Sequence, residues 1–598
     1  MSKETRKRGD IPARYKWDLA SMYADDESWE ADAARTEEGA VRCARFAGGL
    51  GESAATLLAA LEEKDALWRL AERVFVYARM RRDEDNRDAR RQAMCDRAQT
   101  LMSKVEAALS FFTPEFLTIP EEALQAYAAE EAGLKVYAHL FRVMLRRKAH
   151  VLSEAEENLL AKLSEVTGAT NDIFGMINNA DMKFGFVTDE DGESVELTHG
   201  RYIGFMESRE RSVRKEAFEK MYEAYERQRN TLAATYAFNT KTDVVMARIR
   251  KYPSALEAAL AGDDIPLSVY DNLIRSVNDR LGALHGYFEI KRRLLGVEKL
   301  HMYDVYAPIA DRREEKLPYE EALRVMRAGL AALGGEYLDA AARGAEDGWI
   351  DVFENEGKTS GAYSFGSYDS KPFILMNYNE KLKDLFTLVH EMGHSMHSLY
   401  TRRAQPFVYG GHSIFTAEVA STVNESLLMR HLISEAKDAD EKKYLLSMYI
   451  EEFRTTLFRQ TMFAEFERLT HAAVERGEAL TADMLSREYF ALNEKYFGGA
   501  VACDAPIALE WARIPHFYRA FYVYKYATGF SAATAIAKNL IEGGVAARDA
   551  YIAFLKTGES DDPIELLKIA GVDMSEPEPV DKAMDAFEAL VNELEAMP

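Results

Sequence analysis

At 598 residues, with 99 acidic against 75 basic side chains and a net charge of −24, the chain is too long for one simple core. It is also too acidic to neutralise a phosphate backbone or an anionic lipid surface, which excludes nucleic acid and membrane as partners. The three cysteines, Cys43, Cys95 and Cys503, are odd in number and scattered, so they offer neither a disulfide framework nor a cysteine zinc site and fit a reducing cytoplasm.

The start of the chain is basic through Lys3, Arg6, Lys7 and Arg8, but Ile11-Pro12-Ala13 follows with no apolar segment, so it does not read as a secretory signal. From about Ser28 to Thr167 an Ala, Glu, Arg and Leu-rich helical periodicity predicts a helical lobe, with a capping box at Ser153 to Glu156. Its most basic patch, Arg81, Arg82, Arg87, Arg90 and Arg91, is interleaved with Asp83, Glu84, Asp85 and Asp88, which predicts a solvated, salt-bridged face. Met182 to Thr198 alternates apolar and polar residues around Asp191-Gly192, a hairpin signature. We therefore expect residues 1–198 to form an N-terminal helical lobe ending in that hairpin, and residues 199–598 to form a second region. No Pro/Ser/Gly-rich linker separates them.

Helical patterning resumes to about Arg343, and Trp349 to Tyr378 is a strand-rich patch that predicts a small sheet in a mainly helical protein. Within it Gly357-Lys358-Thr359 resembles the tail of a phosphate loop, but Val352 stands where that loop needs glycine, so a turn between strands is expected. Pro372 to Asn377 reads as a strand feeding a helix from about Asn379, a plausible N-cap, to about Tyr400. Further on, the apolar stretch from Ala520 to about Ala537, interrupted by Lys525 and Gly529, is expected as a buried helix and not a membrane span. From Glu380 to the C-terminus the pattern is again helical, with Asp562-Pro563 a good helix start and Gly571 a good stop.

The chemistry is concentrated in His390-Glu391-Met392-Gly393-His394. Leu382, Leu385, Phe386, Val389 and Met392 recur at helical spacing around it, and residues four apart share one face of a helix. Both imidazoles can then reach one zinc ion, with Glu391 beside them as general base. Gly393 leaves room for a neighbour or the metal site to approach. A catalytic zinc needs a third protein ligand and one open position. His397 lies on the same face, but one more turn along a single helix it cannot easily complete a tetrahedron. The metzincin pattern also fails, since His397 stands at its glycine and Tyr400 at its third histidine. A helix-borne Glu is the other solution. After a Gly410-Gly411 turn, the helical segment from Ile414 offers Glu418 and, two turns on, Glu425, either of which can be ligand or partner of a metal-bound histidine. His412, on the loop between, is a solvated residue or a substrate contact.

His390 to His397, Gln405-Pro406-Phe407-Val408-Tyr409-Gly410 and Ala417-Glu418-Val419-Ala420-Ser421 resemble the active-site core of the oligoendopeptidase F group, within the thimet oligopeptidase family of zinc peptidases. Tyr15 to Leu19, His150 to Ser153, Ile514 to Tyr518, Tyr524 to Gly529 and Ala570 to Met574 match the same family, so the resemblance spans the chain. It implies a mainly α, multi-lobed, zincin-like metallopeptidase with a small β-sheet near the active site and a deep substrate channel. One catalytic Zn2+ would be held by His390, His394 and Glu418. His516 and tyrosines in Tyr522 to Tyr526 would hold the substrate and the developing oxyanion, a gapped comparison favouring Tyr524 with Tyr522 as competitor. The strand around Gly361 to Gly366 would pair with an extended peptide. The implied activity is endoproteolysis of short peptides in the cytoplasm. A dipeptidyl carboxypeptidase of the same chemistry and a non-catalytic peptide-binding protein are the alternatives.

Overall fold

The computed structural model describes residues 5–311 and 316–597, apart from the side chain of Glu154. By contact these residues gather into two units, each assembled from three stretches: 5–149, 316–431 and 536–571 in the first, and 150–311, 432–535 and 572–597 in the second. The grouping interleaves the chain, whereas the sequence suggested one division after residue 198.

The first unit begins with three helices, Asp26–Ala44, Ala54–Glu84 and Ala89–Leu109. Each starts where an Asp or Ser side chain accepts a first-turn N–H: Asp25 from Ser28, Ser53 from Thr56, and Asp88 from Arg90 and Arg91. Trp29, Val74, Tyr77, Met80 and Leu101 form their shared core, and the Trp29 indole donates to the Val74 carbonyl at 2.9 Å. The basic patch differs from expectation in burial. Asp83 and Glu84 are inside, at 1% and 5% exposure, and Arg82, Arg81 and Arg91 cover them at 2.8, 3.0 and 2.8 Å.

Trp17, Phe373 and Leu375 join that same core, which ties the helices to a three-stranded sheet. Phe373–Leu375 is its central strand, parallel to Ile350–Asp351 and antiparallel to Tyr363–Phe365, which is therefore an edge. The turn at Gly357-Lys358-Thr359 lies between strands as expected, and Lys358 is buried in it. Its Nζ meets the Asp351 carboxylate at 2.7 Å and donates to the carbonyls of Phe353 and Met376. A buried ammonium so enclosed by oxygens is a structural pin and has no capacity left for phosphate.

The helix after the sheet starts later than Asn379. It runs Leu382–Ala404, with Lys381 as N-cap, and the Asp384 carboxylate accepts the N–H groups of Lys381 and Asn379. Glu380, at φ 59°, turns the chain between them, which takes Asn379 out of capping position.

In the second unit the Ser153–Glu156 capping box forms as expected at the head of Glu154–Thr167. The hairpin is Phe186–Thr188 against Ser194–Glu196, shorter than its sequence pattern, with Gly192 in the left-handed region at the turn. A long helix, Arg211–Ile249, and the Arg459–Glu475 helix carry much of this unit's aromatic core, including Tyr236 stacked on Phe466. The apolar stretch from Ala520 becomes helical only at Tyr524, because Phe521 takes φ 54°. Among the described residues no helix is long and apolar enough to cross a membrane.

Candidate active site

Two helices of the first unit make the site. Leu382–Ala404 carries the HExxH motif, and Ile414–Ser434 crosses it. They meet at Gly393, where an added Cβ would stand 2.6 Å from Ser421 Cα and 2.8 Å from the Ala420 carbonyl oxygen. Only a residue without a side chain lets the backbones come this close. Asn424 fastens the crossing from within the core. Its amide donates to the Val389 carbonyl at 3.2 Å and to the Tyr337 hydroxyl at 3.0 Å.

This close crossing brings Glu418 to the histidine pair. His390 Nε2 and His394 Nε2 stand 3.2 Å apart, and Glu418 Oε2 lies 3.4 Å from the first and 3.5 Å from the second. Three atoms that each bond one ion at about 2.1 Å in tetrahedral directions lie about 3.4 Å apart. The observed triangle is thus the base of a tetrahedron of metal-binding size, and its two-nitrogen, one-oxygen donor set suits zinc. Glu425 occupies a different place, 3.2 Å from His390 Nδ1. A carboxylate there accepts a hydrogen bond from Nδ1–H, holding the proton on Nδ1 and leaving the Nε2 lone pair facing the other two donors. Ser421 Oγ donates to the Glu418 carboxylate at 3.2 Å and to the Glu418 carbonyl at 2.9 Å, which limits the carboxylate's swing.

Glu391 is buried, at 8% exposure, and the edge strand supports it: the Ser364 backbone N–H bonds its carboxylate, and Ser364 Oγ lies 2.8 Å from Ser395 Oγ on the motif helix. Burial raises the Glu391 pKa above the usual carboxylate value. His390 and His394 pull against that rise, and Glu418 adds to it. A carboxylate held in this way is a stronger base than a solvated one. Burial would lower the His390 pKa, but the carboxylates of Glu418 and Glu425 outweigh it and push it up to about 10. The same two rings, His390 and His394, hold Glu418 well below the usual carboxylate range. These opposite shifts mark a site that attracts positive charge strongly.

His397 does not join the donors. It is buried, with its ring 3.7 Å from that of His412 and 5.4 Å from that of Phe554. His412 Nε2 lies 3.0 Å from Thr401 Oγ, and burial takes its pKa down to about 3. The expected alternative of a solvated His412 is replaced by a packed one.

The residues expected to hold substrate lie in the second unit. His516 is on the short turn Pro515–Tyr518, half-buried, with its pKa lowered by burial and by Arg519. Its ring stacks on Tyr522, centroids 6.2 Å apart and 13° from parallel, and Tyr526 stands edge-on to both at 5.9 and 5.4 Å. Tyr524, favoured from sequence, points elsewhere. It is 1% exposed, packs against Tyr270 at 5.2 Å, and burial raises its pKa. Tyr522 precedes the helix and Tyr526 lies in its first turn, and their rings meet at 5.4 Å beside His516, whereas Tyr524, the first helical residue, is packed in the core. Tyr526, one of the three tyrosines the sequence left open, joins this cluster. Nothing in the sequence pattern pointed to Ser364 or Asn424.

The model of peptidase family M3 matches residues 204–586, and that of the oligopeptidase F N-terminal region matches residues 115–184. Oligopeptidase PepF of Bacillus subtilis is 44% identical over 590 residues, covering 99% of this chain and 88% of its own. The plasmid oligoendopeptidase F of Lactococcus lactis subsp. cremoris is 42% identical, covering 99% and 98%. The crystal structure of oligoendopeptidase-F from Enterococcus faecium aligns over 96% of this chain and 99% of that one, at 39% identity and a TM-score of 0.74.

Proposed function

The chain belongs to peptidase family M3, on its oligoendopeptidase F branch, and is a metallo-oligoendopeptidase; from that premise we propose that its metal is one zinc ion, held by His390, His394 and Glu418. The observation that carries this proposal is the donor triangle with sides of 3.2, 3.4 and 3.5 Å on the HExxH helix and its crossing partner. When bound, the metal supplies Lewis acidity, polarising the scissile carbonyl and acidifying water.

The chain's own residues do the rest. Glu391 takes a proton from the attacking water and returns it to the departing amine, and its burial and the Ser364 N–H fix where that proton is held. Glu425 keeps His390 in the tautomer that offers Nε2. The edge strand Tyr363–Phe365 pairs with the extended peptide, a role supported by its outer place in the strand order of the described residues. His516, with Tyr522 and Tyr526, donates hydrogen bonds to the peptide carbonyl and to the oxyanion it becomes, supported by their shared, half-buried cluster. We assign the catalytic chemistry to residues 199–598 and place the enzyme in the cytoplasm, consistent with three free thiols.

Chelation should abolish cleavage of an internally quenched peptide, and stoichiometric zinc should restore it. A peptide amidated at its C-terminus should be cut as well as the free acid. Cleavage only of the free acid, two residues from its end, would make the enzyme a dipeptidyl carboxypeptidase. Binding without cleavage by zinc-loaded protein would make it a peptide-binding protein.

A further inference from the structure

Glu467, on the Arg459–Glu475 helix of the second unit, is wholly buried and has none of the roles above. Its Oε1 accepts the backbone N–H of Phe521 at 2.9 Å, and its Oε2 has no hydrogen-bond partner among the described residues. Phe521 has φ 54°, a left-handed conformation that a bulky aromatic residue keeps only when its surroundings hold it there. Two contacts fix its ring: His471 at 4.4 Å and Tyr270 at 5.9 Å. The remaining constraint is on its backbone, and Glu467 supplies it.

The position of Phe521 gives this bond its consequence. It lies between the turn carrying His516 and the helix carrying Tyr526, directly before Tyr522. Reversal of the chain there returns Tyr522 beside and nearly parallel to the His516 ring and sets Tyr526 edge-on. If Phe521 relaxed to negative φ, the chain would leave the turn in another direction and the three rings would lose this arrangement.

We propose that Glu467 is a positioning residue for the peptidase: its buried carboxyl holds the left-handed turn at Phe521, and that turn sets His516 against Tyr522 and Tyr526. The proposal rests on the reading of those three side chains as the group that meets the peptide. Burial, and then the nearby Asp243 carboxylate, push the Glu467 pKa well above the usual carboxylate value, which favours the neutral form and makes an amide a close replacement.

Three variants of the full zinc-loaded enzyme test it: Glu467→Gln keeps an acceptor for Phe521, Glu467→Leu removes it, and Glu467→Asp keeps the carboxyl but withdraws it by one methylene. We expect Glu467→Gln to hold kcat within about 3-fold, and the Leu and Asp variants to lose on the order of 10- to 100-fold in kcat with zinc content unchanged, the scale of a misplaced catalytic group. In a Tyr526→Phe background the Leu change should add less than about 3-fold, because the two act through one group. Should the Leu variant fail to fold, the Asp variant decides. A Leu or Asp variant with lowered melting temperature but native kcat would overturn the proposal and leave Glu467 a structural residue. So would a Gln variant as impaired as the Leu variant. If His516→Ala and Tyr526→Phe themselves leave kcat unchanged, the underlying reading of the peptide-binding group falls. If they cut kcat and the Glu467 variants do not, only the positioning role falls.

Discussion

The two functional clusters are built in opposite ways. In the first unit, the candidate donors His390, His394 and Glu418 come from two long helices whose crossing is determined twice over, by Gly393 against Ser421 and by Asn424 to Val389. In the second unit, His516, Tyr522 and Tyr526 surround a non-helical reversal whose central residue sits at positive φ, its backbone held by a buried hydrogen bond and its ring by His471 and Tyr270. A metal site tolerates little error in donor spacing, and regular helices supply that accuracy cheaply. The cluster proposed to hold a flexible peptide rests on a turn, at the cost of local strain, typically about 1–3 kcal/mol at such a residue.

The sharpest way to break this comparison is at Glu391. Glu391→Gln should keep zinc and lose on the order of 1000-fold in kcat, because the ligands survive and the proton acceptor does not. Zinc analysis and steady-state kinetics on one preparation check it, and high residual turnover in loaded enzyme would remove Glu391 from its role.

Next comes the second cluster. Tyr526→Phe should lower kcat by on the order of 100-fold with little change in KM, the cost of removing one oxyanion donor. Tyr522→Phe should cost less, and Tyr524→Phe, inside the core, should be near native in kcat. A large kcat loss confined to Tyr524→Phe would restore the assignment favoured from sequence.

Gly393→Ala probes the crossing itself. A methyl 2.6 Å from Ser421 Cα must push the helices apart, so stability should fall by about 1–3 kcal/mol and zinc affinity should fall with it, although no donor has changed. Calorimetry and zinc titration measure the two losses, and a native zinc affinity would show that Glu418 reaches the pair without the close approach.

The smallest effect is on pH. A pKa of about 10 for His390 means that, below that pH, zinc must displace a proton from the ring, so apparent affinity should rise with pH, by roughly tenfold per unit for one proton released. Titration calorimetry in buffers of different ionisation heat counts the protons, and a count of zero at pH 7 would contradict the shift.

The first cluster was largely legible because its geometry is a periodicity. Residues 390 and 394 share a helix face by spacing alone, and the residues after Gly410-Gly411 continue as a helix bearing Glu418 and Glu425. What spacing could not settle was which carboxylate meets Nε2 and which meets Nδ1, because that depends on the crossing angle, and the crossing angle depends on contacts such as Asn424 to Val389 that carry no local signal. The Asn379 cap failed for a similar reason: Asp384, three residues into the helix, captures both N–H groups and moves the start to Leu382. In the second cluster the apolar run from Ala520 looked continuously helical, and nothing in the residue type marks Phe521 as left-handed. The pairing of Tyr522, before the helix, with Tyr526, in its first turn, depends on that reversal and not on helical spacing, so it too carried no local signal.

The central claim, that one zinc ion is held by two helices with Glu418 as third ligand and Glu425 behind His390, is tested most directly by zinc titration of Glu418→Ala beside Glu425→Ala. The geometry predicts that Glu418→Ala loses zinc affinity far beyond the roughly 10- to 100-fold expected of Glu425→Ala, whose carboxylate supports a ligand and is not one. Equal losses, or a greater loss in Glu425→Ala, would contradict it and move the third ligand to Glu425.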